Sequence, residues 1–263
     1  MMSSFPDDYI EGMAANPSRS APDGAEEAAL PLNSPELNGI RRLTALDTVR
    51  ARIGMAVDLG LLAPGERLPA NTAIAEALGV GEITVRRALS SLCADGVLER
   101  RRGRNGGTLV AARPTRGVVD ATAAYREQSG EVHRLIDERI VMECGIAHLA
   151  ARAAGPEAVE ELQLLVEAMD RAESWAQFHS YDERFHLALA RATGLDATEG
   201  YRTVLRKLYE YYLPYPLAAL RASNDEHRAL VTAVRAGDPA QAAEVARRHV
   251  ETLHRTMFVG LTD

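Results

Sequence analysis

The chain has 263 residues, 46 % apolar and 25 % charged, and a formal net charge of −7, ordinary values for a soluble globular protein with room for two domains. No apolar run approaches the roughly 20 residues of a membrane helix, and the opening MMSSFPDDYIEGMAANP has neither the basic nor the apolar region of a secretory signal, so no membrane partner is expected. The two cysteines, Cys93 and Cys144, fall in helical patterns without disulfide or thiolate-metal spacing, which suits a cytoplasmic protein.

Residues 1–40 hold seven acidic residues against Arg19 and little apolar periodicity, the pattern of a disordered acidic tail. Residues 41–113 reverse the sign, with twelve arginines against seven acidic residues, and residues 114–263 are acidic again, with twenty-three acidic residues against seventeen basic. A basic block between acidic ones points to a polyanion partner for that block alone.

Within the basic block, Leu46, Val49, Ile53, Ala56 and Val57 recur at helical spacing up to Gly60. A short helix is expected over Asn71 to Leu78, closed by Gly79, and a second one carries Val85, Ala88, Leu89 and Leu92 before Gly96. Two short helices across a glycine turn form a helix-turn-helix pattern. Val97 and Leu98, then Thr108 to Val110, flank a Gly/Arg tip and predict a β-hairpin. A linker is expected over 114–122. Beyond it every segment is helical, with a long first helix through Val132, Leu135, Ile136 and Ile146, then helices near 156–171, 174–193, 198–213, 215–222, 225–236 and 239–256. No strand is expected after residue 115. The fold class is therefore mainly α, a helix-turn-helix with a small hairpin followed by an all-α antiparallel bundle over 123–263.

If Val85, Ala88, Leu89 and Leu92 are buried, then Glu82, Ile83, Arg86, Arg87 and Ser90 face outward. The N-terminal end of such a helix enters the major groove of double-stranded DNA. Arg86 and Arg87 can clamp guanine, and Thr84 can bond a phosphate or meet a thymine methyl. The hairpin tip adds Arg100, Arg101, Arg102 and Arg104 around Gly103, suited to phosphate or minor-groove contact. An ordinary surface helix and a solvated basic turn would look alike one at a time; their adjacency and shared charge favour DNA.

The stretch GLLAPGERLPANTAIAEALGVGEITVRRALSSLCADGVLERRRGRNGGTLVA resembles the winged helix-turn-helix of the GntR family of bacterial transcription regulators, and the helical remainder resembles that family's FadR-type FCD domain. The resemblance implies a homodimer on a palindromic operator. Relatives usually carry Ser-Arg where Gly81 and Glu82 stand, and often Arg in place of Thr72. Glu82 can accept from cytosine and Arg87 can restore the charge, so an operator different from the common one is expected.

The bundle raises a second question. Asp182 and His186 are four apart in YDERFHLALARATG, about 6 Å apart on one helix face. His227 and His249 lie eleven residues before and after Asp238, so in an antiparallel pair they return to the same level. One Asp and three His from three helices make a divalent-metal site of borderline hardness; an i,i+4 hydrogen-bonded pair with two surface histidines is the plain alternative. The FCD resemblance favours metal, because DERFH, NDEH and RRH are similar to the family's one-Asp, three-His pattern. Zinc comes first, with nickel, manganese or iron as alternatives, and the resemblance implies a small carboxylate effector at the open positions. Arg139 and Glu143 share the inward face of Leu135, Ile136 and Ile146, where Arg139 could clamp that carboxylate or the two could form a buried ion pair. Leu195 stands where relatives often carry Asn. His133, His148, His179 and His254 match no pattern. The expected function is a regulator and not an enzyme. The rivals are a metallohydrolase, for which no general base is marked, and a regulator whose metal is purely structural.

Overall fold

The computed structural model describes residues 44–103, 106–118, 129–196 and 198–257. The expected acidic tail, Arg104 and residues 119–122 of the expected linker lie outside them.

Helix α1 (Ala45–Asp58) starts where the Thr44 hydroxyl accepts from Asp47 N at 3.2 Å, and it buries Val49, Ile53, Ala56 and Val57. α2 (Asn71–Leu78) stops at Gly79, whose φ of 64° is left-handed and needs glycine. α3 (Glu82–Ala94) follows two residues later and buries Val85, Ala88, Leu89 and Leu92 completely. β1 (Leu98–Arg101) and β2 (Gly107–Val110) pair antiparallel from Leu98 opposite Val110 to Arg101 opposite Gly107. A side chain at Gly106 would put its first carbon 2.3 Å from the Arg101 carbonyl oxygen, so only glycine fits this hairpin end. Arg50 and Asp95, 2.8 Å apart, tie α1 to the end of α3.

The bundle comprises α4 (Ser129–Ala153), α5 (Pro156–Asp170), α6 (Trp175–Arg191), α7 (Thr198–Tyr209), α8 (Leu217–Arg235), α9 (Pro239–Glu251) and the single turn α10 (Leu253–Thr256). α4 packs along α9, and α5 along α6 and α8. As the sequence predicts, Asp238 caps α9, accepting from Gln241 N at 3.0 Å, with Pro239 in the first turn. Ser174 caps α6 in the same way.

Two expectations need correction. The helices expected near 215–222 and 225–236 are one, α8. Ser223 and Asn224 look like breakers, but Asn224 turns inward and donates to the Val166 carbonyl at 2.9 Å and to Asp170 at 2.7 Å, while Ser223 bonds back to Leu220 O. Neither competes for the backbone in a way that ends the helix. The helix expected over 198–213 ends at Tyr209, because Pro214 and Pro216 push the residues before them into extended conformation.

Three apolar cores result. One fills the bundle around Phe185, Leu189, Leu205 and Val245. One holds the winged domain and takes in Trp175 and Ala176 of α6. The third joins Ala51 and Met55 of α1 to Val132, Leu135 and Ile136 of α4 and to Leu208 of α7. Among the described residues the hairpin is the only strand pairing beyond an isolated bridge between Arg67 and Leu109, and no helix is long and apolar enough to cross a membrane.

Candidate DNA-binding face and metal centre

α3 turns the expected side chains outward. Glu82, Arg86, Arg87 and Ser90 are exposed, Ile83 is 64 % exposed, and Thr84 is half-buried. Arg86, Arg87 and Arg102 have no acidic partner among the described residues, whereas Arg101 pairs with Glu99 at 2.9 Å and Arg100 donates to Ser90 at 3.1 Å. Unpaired cations keep their full charge for phosphates or base edges. Gly103, at φ 101°, opens the hairpin tip. Gly81 caps α3 without a side-chain hydrogen bond, and Glu82 stands in its first turn.

In the bundle, α6 brings in Asp182 and His186, α8 brings His227, and α9 brings His249. All four are buried. One ligand atom from each histidine lies within 4.8 Å of the others. His186 Nε2 and His227 Nε2 are 3.3 Å apart, and Asp182 Oδ1 lies 3.7 and 3.4 Å from them. The other nitrogen of each ring faces an acceptor. His227 Nδ1 is 3.1 Å from Asn224 Oδ1, and His249 Nδ1 is 2.9 Å from Glu226 Oε2. His186 Nδ1 is 3.0 Å from Glu143 Oε1 but too poorly aligned for a hydrogen bond, which leaves both buried atoms without one. An acceptor at Nδ1 fixes the tautomer in which Nε2 carries the lone pair, the arrangement that orients metal-binding imidazoles.

The electrostatics favour an ionised Asp182 and a neutral His227, while His186 has a proton that a metal ion would have to displace. Burial opposes charge on Asp182, but His186, then His227 and Arg139, outweigh it and hold its carboxyl well below the usual range. Burial, reinforced by His249, pushes His227 well below the ordinary imidazole value and keeps it neutral. At His186, burial is overcome by Glu143 and Asp182 against the opposition of Arg139, and the ring is pushed up. An ionised carboxylate beside nitrogen donors, without a thiolate, fits a divalent ion of borderline hardness.

Arg139 and Glu143 are both buried, as expected, and they do form the ion pair, at 2.8 Å. Arg139 also lines a cavity, donates to Tyr212 OH at 3.1 Å, and places Nη2 2.8 Å from His186 Nε2. Glu143 stands behind it, accepting from Tyr201 OH at 2.5 Å. Leu195 is 54 % exposed and outside the cavity lining. His179, unassigned by sequence, is buried against Trp175, Tyr209 and Tyr212. His254 lies 2.7 Å from His133 and 3.1 Å from Asp137. Sequence reasoning missed Asn224 and Glu226, although NDEH places both within three residues of His227. It also missed Arg52, buried in α1, which donates to the carbonyl oxygens of Tyr212 at 2.6 Å and Tyr209 at 2.9 Å.

A recognition helix with unpaired arginines, a glycine wing and an attached helical bundle define a DNA-binding transcription regulator. Comparison with known proteins identifies which kind. Residues 45–110 match the family of bacterial regulatory proteins called gntR, and residues 131–252 match the FCD domain. The chain belongs to the GntR family. It is 31 % identical to the HTH-type transcriptional regulator RmpR of Mycobacterium gastri, over 84 % of this chain and 82 % of that protein. It is 30 % identical to the L-lactate dehydrogenase operon regulatory protein of Escherichia coli K12, over 82 % and 87 %. Bacillus subtilis LutR, another HTH-type regulator, is 28 % identical over 73 % and 91 %. Among solved structures, E. coli McbR/YncC aligns with a TM-score of 0.46 at 20 % identity, over 84 % of this chain and all of that one. The relatives are named regulators, and the protein is a regulator and not an enzyme.

Proposed function

We propose that the chain is a metal-dependent, effector-responsive regulator that binds a two-fold operator as a homodimer. Residues 41–113 carry DNA recognition, through Glu82, Thr84, Arg86, Arg87, Arg102, Gly103 and Arg104, and residues 123–263 carry metal, effector and dimer contacts beyond a linker at 114–122. Asp182, His186, His227 and His249 would hold the metal, zinc first, with nickel, manganese or iron also compatible with the donors. The bound ion would supply positive charge and open positions for a small carboxylate effector. The observation that carries this reading is the buried cluster of His186, His227 and His249, one ligand atom of each within 4.8 Å of the others, with acceptors at Asn224 and Glu226 behind His227 and His249. A plain hydrogen-bonded pair would not need them.

The bundle's site is connected to the winged domain through the chain's own groups. Tyr209 OH donates to Asp182 Oδ2 at 2.6 Å, and Tyr212 OH accepts from Arg139. The backbone carbonyls of those same tyrosines are the ones Arg52 of α1 grips. A rearrangement at Asp182 or Arg139 is thereby felt by the first helix of the DNA-binding domain, a coupling that biases two arrangements of one structure. For the dimer, α4 leaves Val141 77 % and Leu149 38 % exposed, two turns apart beside Gly145, a face suited to a second copy of itself.

The test is operator binding by the full chain, with and without metal, beside His227→Ala. The variant should lose metal and effector response while keeping its winged domain folded. A His227→Ala protein that retains both overturns the reading.

A further inference from the structure

The cavity beside the four-residue cluster narrows the chemistry of the effector, an inference that rests on the effector reading above. It is about 150 Å³, and Arg139, Asp182 and His249 are among its lining residues. A cavity of that size holds about one benzene ring. We infer that the effector is a monocarboxylate with a compact apolar body, an aryl or branched-alkyl acid, and neither a dicarboxylate nor a polyhydroxy acid.

Three observations lead there. The first concerns the anchor. His186 Nε2 has one lone pair, and Arg139 Nη2 stands 2.8 Å from it. A metal ion taking that lone pair leaves Nη2 buried beside the cavity without His186 as its acceptor. A buried guanidinium N–H strongly requires one, and a carboxylate satisfies it best.

The second concerns charge. Three carboxylates surround the anchor, Asp182, Glu143 and Glu226, and Arg139 is the one guanidinium among the cavity's lining residues. A divalent cation brings that group into formal balance. One ligand carboxylate already takes the group to −1 and is held by the N–H of Arg139 that the metal frees; a second would take it to −2 with no such donor and would lie among side chains that desolvate it without compensation.

The third concerns the rest of the lining. Phe178, Leu220, Leu253 and Met257 give it apolar surface. The hydroxyls nearby are already spent as donors on backbone carbonyls: Ser223 on Leu220 O at 2.7 Å, Thr252 on Arg248 O at 3.0 Å, Thr256 on Thr252 O at 3.2 Å, and Tyr215 on Thr256 O at 3.0 Å. A ligand hydroxyl placed there can still donate to these oxygens but finds none of their protons free, so it recovers only part of the hydrogen bonding it had in water. An apolar body loses nothing and gains burial.

The experiment uses the full-length protein after reloading with zinc, with metal content measured on the same sample. Calorimetric titration and thermal shift compare benzoate and 4-methylpentanoate with succinate, citrate and gluconate, on the zinc-loaded and the chelated protein. Benzoate or 4-methylpentanoate should bind at least about tenfold more tightly than the other three. Met257→Ala, checked for unchanged helix content, should move the preference several-fold from benzoate toward 3-phenylpropionate. Equal or tighter binding of succinate, citrate or gluconate, or no binding of any monocarboxylate, overturns the inference. Absence of zinc in the reloaded sample overturns the metal reading separately; Arg139 is then the remaining anchor, and the ranking of acids in that sample still decides the apolar class.

Discussion

His179 illustrates how a residue with no sequence pattern acquires a physical role. It lies on α6 one turn before Asp182, with three aromatic rings around it. Burial pushes its imidazole down to about 4, with Arg52 adding to the effect and Asp182 opposing it. The unfolded chain takes up this proton near pH 6.5 and the folded chain only near pH 4, so between those values the unfolded state binds more protons. Stability from this group is therefore fully present above about pH 6.5 and is lost as the pH falls to 4, by on the order of 3 kcal/mol. His179→Gln should flatten that acid limb, as read from chemical denaturation at stepped pH; an unchanged slope would show that the ring titrates normally. At this scale the sequence was informative where spacing alone sets geometry. Asp182 and His186 share a face at any helix rotation, and His227 and His249 are levelled by the Gly237–Pro239 turn. Asn224 and Glu226 were not legible, because whether they face the rings depends on how α8 is rotated against α5 and α9. Arg139 was legible as inward-facing, but its position between Glu143, Tyr212 and His186 needed the fold.

The elements followed their sequence signals wherever a stripe and a stop signal coincided, as in α2, α3 and the hairpin. They departed where a polar side chain could find a partner across the bundle, as Asn224 does to keep α8 whole, and where prolines truncated α7. On α3, Arg86 is exposed on the flank of the face that buries Val85 and Leu89, without an acidic partner among the described residues. Arg86→Ala should weaken operator binding by about 1–3 kcal/mol if it reads a base, and the affinity of the native chain should fall steeply with salt. Full affinity in the triple variant Arg86→Ala, Arg87→Ala, Arg102→Ala would contradict the assigned face. On α1, Arg52 matters for a different reason. Arg52→Leu should leave metal content and effector affinity within about twofold, since Arg52 touches neither, yet uncouple effector from operator. The coupling free energy of typical allosteric pairs, about 1–3 kcal/mol, sets what should disappear. An effector response of native size in Arg52→Leu would remove α1 from the route.

For the whole molecule, the charge asymmetry legible in the sequence has a structural counterpart, since the unpaired arginines sit on α3 and the wing while the acidic bundle buries Asp182 and Glu143, with Glu226 half-buried, around its candidate centre. What no periodicity could convey was that α1 belongs to both halves, giving Val49 and Ile53 to the winged core and Ala51 and Met55 to the bundle. A second copy is expected against the exposed α4 face. Val141→Asp should lower the sedimentation coefficient toward that of a monomer, and a native monomer both free and on DNA would refute the dimer. The central claim is the metal centre, and elemental analysis of the full-length protein tests it most directly: as purified, after chelation, and after reloading. About one divalent ion per chain, lost on chelation with a drop in melting temperature, regained on reloading and absent from His227→Ala, is the result expected; a native chain that holds no metal at any stage would contradict it.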